Sequence, residues 1–396
     1  MNRVLLTLVS FLLLRQTAFA NQGRAVASDL EASESATLRV DSFGTPFSVG
    51  APEADSLPSA DPSDPDPAQT TPGKQPKPLP RPIGESQMPT IQSIKVGYLD
   101  SAIIGSQIRL RFDDANHSLV PDRAEFFYAK CGCYADLPVL PPGSVSQRDP
   151  NAPGPGPGNA SDINFQQLYL NVEYAANYRF SVFAEVPIRS IEYLRYGNFP
   201  VPDGQQRFTN LIGLSDVSAG VKLALVASPN RYLTAQLQGS FPTGDAGIGM
   251  GTHHVSIAPA LLYYQRLTQY WSIDAEFGDT HPLGGSAGIS TTGPGFAGDV
   301  LFYGVGPSYE LVTTEKFRLS PVLEMAAWRV IGGYQTTAAN EGESAGGTNI
   351  LNMKWGARMS FGSHSTAYVG FGTSLTSATW YRNILRIEYR YSFGKF

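Results

Sequence analysis

The sequence predicts an all-β chain, a transmembrane antiparallel up-and-down β-barrel of about twelve strands behind a disordered N-terminal leader. Three observations predict it. Short segments of alternating apolar and polar residues recur from position 107 to the end, the gaps between them alternate between short and long, and an export signal opens the chain. A period of two sends successive side chains to opposite faces of a strand, so one set meets lipid while the other lines a polar lumen.

In chain order, Arg3 precedes the apolar run Val4 to Leu14, and the small residues Ala18-Phe19-Ala20 set cleavage after Ala20, so residues 1–20 read as a secretory signal peptide. That run is too short to span a bilayer. Residues 21–95 read as an acidic, proline-rich periplasmic linker: positions 21 to 90 carry ten acidic and five basic side chains, and eleven prolines follow position 51. A segment so poor in apolar residues cannot offset the entropy of ordering it. Asp61-Pro62-Ser63-Asp64-Pro65-Asp66-Pro67 and Lys77-Pro78-Leu79-Pro80-Arg81-Pro82 favour extended polyproline conformations. The linker is then a stiff spacer, with room for a periplasmic partner.

Residues 96–396 form the barrel, with strands expected over 107–113, 163–175, 179–190, 213–226, 231–243, 253–266, 271–280, 298–312, 317–330, 349–362, 365–376 and 382–396. In the first, Ile108, Leu110 and Phe112 face lipid while Arg109, Arg111 and Asp113 face the lumen; in the fourth, Val217, Ala219, Val221 and Leu223 oppose Asp216, Ser218 and Lys222. In the last, Leu385, Ile387, Tyr389, Tyr391 and Phe393 oppose Arg386, Glu388, Arg390 and Ser392, and the terminal Phe396 falls out of phase. Short turns fall at 176–178, 227–230, 267–270, 313–316 and around Ser363-His364, and the other connections are long and rich in Gly, Ser and Pro. Short periplasmic turns and long outer loops are the asymmetry of an outer-membrane barrel, and an even strand number puts both termini on the periplasmic side. A soluble sandwich has no reason to alternate this way. Tyr263, Trp271, Tyr303, Tyr309, Phe317, Trp355, Phe361, Phe393 and Phe396 lie toward segment ends or just past them, as interfacial girdles do.

The long first connection, 114–162, holds both cysteines, Cys131 and Cys133, which read as a small loop disulfide in an oxidising compartment. Its aromatic stretch Phe126-Phe127-Tyr128 suits either a loop folded into the lumen or a flap on the outer rim.

The lumen-facing charges are the most informative candidates. Arg109, Arg111, Lys354, Arg358, Arg386 and Arg390 come from strands that become neighbours on closure and form a basic wall, and Asp274, Glu276, Glu310 and Glu324 form an acidic one, with Glu173 and Glu185 adding acid on the second and third strands. Opposed walls set a transverse field across a pore, whereas mutual pairing closes the interior. Gly304, Gly306, Gly356, Gly370 and Gly372 thin one wall, which favours a cavity. The inward aromatics Tyr169, Phe183, Tyr232, Tyr264, Phe302, Trp328 and Tyr368 either line a path for aromatic solutes or fill space.

Enzyme chemistry finds few residues. The turn near 268 sets Ser256 opposite His281, gathering His254, His281 and Asp279 at the outer rim as a metal or general-base candidate. No nucleophile elbow is present, Gly247-Ile-Gly249-Met-Gly251 opens no helix, and nothing implies a cofactor. The net charge of −5 and the absence of a basic run argue against nucleic acid.

Gly213-Leu-Ser-Asp-Val-Ser-Ala-Gly-Val-Lys-Leu-Ala-Leu225, followed by Ser240-Phe-Pro-Thr-Gly-Asp245 and a glycine-rich loop, resembles the outer-membrane family named for the MetA pathway of phenol degradation. The resemblance spans about residues 160 to 396 and implies a signal-bearing outer-membrane barrel that passes aromatic or other hydrophobic compounds. The linker and the cysteine-containing connection depart from that pattern. The expected function is therefore a passive outer-membrane channel for small solutes, aromatic ones among them. Its partners would be the lipid bilayer, the barrel-assembly machinery and the solute. The competing readings are a closed barrel acting through its loops or leader and, third, an outer-membrane hydrolase.

Overall fold

The computed structural model describes residues 97–118, 160–196, 210–245, 249–252, 254–283, 297–336 and 342–393. The signal peptide, the linker, Cys131, Cys133 and Phe396 lie outside the described residues, as does the aromatic stretch of the first connection.

The chain runs through β1 (Gln107–Ser118), β2 (Ala160–Asn177), β3 (Phe180–Tyr196), β4 (Leu211–Leu214), β5 (Val217–Ser228), β6 (Arg231–Phe241), β7 (Val255–Arg266) and β8 (Trp271–Leu283). It continues through β9 (Val300–Tyr309), β10 (Val312–Thr313), β11 (Phe317–Val330), β12 (Tyr334–Thr336), β13 (Gly342–Ser344), β14 (Asn349–Phe361), β15 (Ser365–Ser374) and β16 (Asn383–Ser392). Each long strand pairs antiparallel with the next, β9 pairs with β11, and β16 pairs with β1, so twelve strands close on themselves and leave no open edge. β4 and β10 are short extensions of the same sheet, and β12 and β13 form a separate hairpin in the connection between β11 and β14.

The alternation expected from sequence fixes which face is wet. Along β16 every second residue from Ile384 to Ser392 is buried, and the intervening side chains face out. Ile108, Leu170, Leu223, Leu261, Phe277, Leu323 and Trp355 are exposed on the outer surface. Register joins them into rows: Leu261 opposes Phe277 and Phe277 opposes Tyr303, while Leu323 opposes Trp355 and Trp355 opposes Phe371. An apolar belt of this extent is disfavoured against water and favoured against hydrocarbon.

The short-turn rim is built by side chains that replace missing backbone partners. Asn177 Oδ1 accepts from the N–H groups of Arg179 and Phe180 at 2.8 and 3.0 Å, and Thr268 Oγ1 accepts from those of Tyr270 and Trp271 at 3.2 and 3.0 Å. Thr314 Oγ1 accepts from Phe317 N–H at 3.0 Å. Asn and Thr at these positions make the reversals tight, because each offers a local acceptor that a longer loop would have to find elsewhere.

The strand expected over 213–226 is interrupted. At Ser215-Asp216 the chain leaves the ladder between β4 and β5. Asp216 turns its carboxylate across to the β6–β7 connection, where it accepts from Gly244 N–H (3.0 Å), Thr252 N–H (2.7 Å) and the Thr252 hydroxyl (2.8 Å). Gly244 and Gly251 are required there, since a Cβ on either would run into the other's strand of the clasp: Met250 O for Gly244 and Gly244 O, at 2.6 Å, for Gly251. The glycine-rich motif thus ties one connection to the barrel. Replacing Asp216 with alanine is expected to cost about 1–3 kcal/mol by orphaning these donors. The check is protease cutting within residues 242–254 of the folded protein: it should quicken while the β-sheet circular dichroism stays, and unchanged cutting would refute the clasp.

Candidate functional site

The lumen is divided into three floors along its axis. On the long-connection side, Ile163, Phe165, Ile191, Val330, Ile350 and Ile384 point inward beneath Met250, Trp380 and Tyr381 and make a buried apolar cluster. Trp328 packs against it, its ring 4.9 Å from that of Trp380. On the short-turn side a second apolar cluster joins Ala175, Ala224, Tyr232, Ala260, Leu262 and Tyr264 to Ala102, Ile103 and Ile104. The middle floor is charged.

Ala102, Ile103 and Ile104 belong to a segment, residues 97–106, that precedes β1 and lies inside the barrel. Its anchor is the rim, where Ser106 O accepts from Phe393 N–H at 2.9 Å and Ser106 Oγ accepts from Ala175 N–H at 3.0 Å. From there toward Gly97 the backbone polar groups are met by side chains of the wall. Thr234 Oγ1 donates to Ala102 O (2.6 Å) and Lys222 Nζ to Ser101 O (3.2 Å). Glu276 accepts from Asp100 N–H (2.9 Å), Glu324 accepts from Tyr98 N–H (3.0 and 3.1 Å) and Leu99 N–H (3.2 Å), and Arg386 donates to Gly97 O (3.1 Å). Enclosed backbone groups need such partners, and this irregular segment obtains most of them from side chains of the wall, with Ile103 N–H donating to its own Ser101 Oγ at 3.2 Å.

Tyr98 bolts the far end. Its hydroxyl donates to Gly370 O and Ile384 O at 3.2 and 3.3 Å, and its ring lies between the Lys354 ammonium and the Arg386 guanidinium, each 4.2 Å from the centroid. Burial pushes the Tyr98 hydroxyl far up from its ordinary range, so it remains a donor at every working pH. Enclosure disfavours charge on Asp100, but the Lys222 and Arg109 cations beside it outweigh this and hold its carboxyl below the usual range.

The residues of the two expected walls all face inward or lie at the rim, and their contacts are local. Arg386 grips Asp113 through two bonds of 2.7 Å, Nε to Oδ1 and Nη2 to Oδ2. Arg390 Nη2 donates to Glu388 at 3.0 Å, and Arg109 and Arg111 share Glu185 at 2.8 and 3.5 Å. The basic sector therefore carries its own counter-ions. Glu276 and Glu324 hold the inner segment, Arg358 and Asp274 are buried in the wall, and Glu310 sits at the short-turn rim, 3.9 Å from Arg266. Of the aromatics, Tyr232 and Tyr264 build the lower apolar floor with Phe302 against it, Tyr169 lies beneath Arg111 at 3.5 Å, and Phe183 lines a polar cavity with Lys222 over its ring at 5.6 Å. Tyr368 is fully buried and sets its edge against Tyr98, their centroids 6.0 Å apart.

Two expectations need correction. The glycine-thinned wall makes sockets in place of an open cavity: a Cβ on Gly304 would strike Leu99, and one on Gly356 or Gly370 would strike Tyr368. The inner segment 97–106, which precedes β1, was not foreseen, and its sequence signal is the uncharged run Ser101-Ala102-Ile103-Ile104-Gly105 after the proline-rich stretch; the aromatic stretch of the first connection, expected either in the lumen or on the outer rim, lies outside the described residues. The rim constellation is off by one residue. Ile257, not Ser256, opposes His281, so the buried His254 bonds to Thr252 O at 2.9 Å, while Asp279 and His281 meet Asp299 with ligand atoms within 4.8 Å of one another.

No protein-family model matches the chain, and no curated protein matches it. Among solved structures it is similar to an outer membrane channel from Pseudomonas putida F1, at 13% identity and a TM-score of 0.44, over 76% of this chain and 100% of that one. It is also similar to the β-domain of the Bordetella autotransporter BrkA (12% identity, TM-score 0.41, 73% of this chain and 100% of that one). A third likeness is to the NanC porin (8% identity, TM-score 0.38, 73% of this chain and 100% of that one).

Proposed function

We propose that the protein is an outer-membrane channel for small polar solutes, closed in this conformation by its own residues 97–106. The apolar belt supports the membrane setting, with the short turns on the periplasmic side and the bilayer as its surroundings. The observation that carries the channel reading is the charged middle floor. A barrel kept permanently dry gains nothing from ionised groups inside, because desolvating them costs more than apolar packing of the same volume. Here Glu173, Lys222, Lys354, Arg386 and Arg390 sit between two floors that are themselves apolar. Tyr169, Tyr232, Tyr264, Trp328 and Tyr368 are engaged in packing or stacking, which favours polar over aromatic solutes.

The upper apolar floor, with Trp380 and Tyr381 folded into it, favours a second reading, a closed barrel that works through its outer surface. Single-channel recording separates the two. The full-length protein should stay mostly closed in a planar bilayer, and deletion of residues 97–106 should give stepwise conductance. A deletion protein that inserts and stays silent would overturn the channel reading and leave the closed barrel.

A further inference from the structure

A cavity of about 180 Å³ remains between the inner segment and the wall formed by β16, β1, β2, β3, β5 and β6. Its volume slightly exceeds that of apolar cavities that admit benzene, about 150 Å³, so a four-carbon solute fits it. Apart from Phe183 its lining is polar and built into the wall: Gln107, Lys222, Gln236 and Arg390 are each more than nine-tenths buried.

The hydrogen-bond ledger of this lining is lopsided. Every lining carboxylate is engaged: Glu173 accepts from Gln107 (2.7 Å), Ser181 (2.7 Å) and Lys222 (3.5 Å). Glu185 is shared by Arg109 and Arg111, and Asp100 accepts from Gln236 at 3.1 Å. The guanidinium groups are left in excess. Arg390 reaches Glu388 through Nη2 alone, and its Nε and Nη1 have no acceptor among the described residues; the same holds for Nε of Arg109, while Nε of Arg111 is left with only the Asp113 carboxylate, 3.6 Å away. Two amide oxygens, Gln107 Oε1 and Gln236 Oε1, have no donor among the described residues. A buried N–H without an acceptor is costly, and a guanidinium matches a carboxylate in geometry better than it matches any other small partner.

We infer that this cavity is a binding site for a small hydroxy-carboxylate, its carboxylate on Arg390, Arg109 and Arg111 and its hydroxyl donating its one proton to one of the two amide oxygens, that of Gln107 or that of Gln236. This deepens the channel reading by naming a solute class for the same lumen, and the site exists whether or not the barrel conducts. Binding here fills the donors that the lining carboxylates leave over.

The test is calorimetric titration of the full-length protein, refolded in detergent, with L-malate, succinate and sulfate. Malate should bind, succinate more weakly because it lacks the hydroxyl, and Arg390→Gln should weaken malate at least about tenfold, the scale of one charge-assisted bond. Should that variant not refold, Arg111→Gln serves, with the same loss expected. No heat from either acid, binding of sulfate alone, or equal malate binding in the variants would overturn the site. Malate binding by the full-length protein, together with a form lacking residues 97–106 that inserts into bilayers and stays silent, would keep the site and discard the channel; conductance of the deletion form without malate binding by the full-length protein would do the reverse.

Discussion

Replacing Gly304 with alanine will open the barrel without dismantling it. The new Cβ would meet a Leu99 methyl on the inner segment, with Met325 O at 3.0 Å and Glu276 Cγ at 3.6 Å as the neighbours in the wall. The wall is fixed by the β8–β9 and β9–β11 ladders, whereas the segment is held by side-chain hydrogen bonds, so the segment gives way. Overpacking of this kind costs about 1–3 kcal/mol. Leu99 lies between Tyr98 and Asp100, so its displacement pulls on the bonds to both Glu324 and Glu276. The expected record is channel opening that resembles the deletion of residues 97–106. Adding Leu99→Ala restores room for the Cβ and should restore closure. Non-additivity of the two changes is the diagnostic, since only residues in contact couple. Identical closure in all three proteins would exclude Leu99 and Gly304 as a lock.

The second large effect is on stability. Asp113 and Arg386 are both buried and joined in a two-bond grip, so Asp113→Ala strands a guanidinium inside the barrel. Loss of one partner from such a pair costs about 3–5 kcal/mol, whereas replacing both with apolar side chains of similar volume is often neutral. Asp113→Ala should therefore lower the urea midpoint of the detergent-folded barrel strongly, and Asp113→Leu combined with Arg386→Met should recover most of it. Recovery will be incomplete, because Arg386 also donates to Gly97 O and stacks on Tyr98. Equal destabilisation by the single and double changes would show that the pair is not the source of the loss.

Much of the barrel was legible because strand formation here is local. The alternation in β1 and β16 assigned Arg109, Arg386 and Arg390 to the inside from their own neighbours alone, and the short turns at Asn177, Thr268 and Thr314 carry acceptors that close them. The break in 213–226 was hidden because Asp216 keeps the alternating pattern while its partners, Gly244 and Thr252, lie a hairpin away. The rim histidines were misplaced for a related reason: a shift of one residue in the β7–β8 register moves a side chain to the opposite face.

The sequence by itself determined the fold class, the two faces of each strand and the outward apolar belt, because a period of two and a turn residue act within a few positions of themselves. Only the tertiary structure decided what the lumen holds. The seat of residues 97–106, the sockets at Gly304 and Gly370, and the pairing of Asp113 with Arg386 bring together residues far apart in the chain. They exist only after β16 has paired with β1, since closure is what turns inward-facing side chains into neighbours.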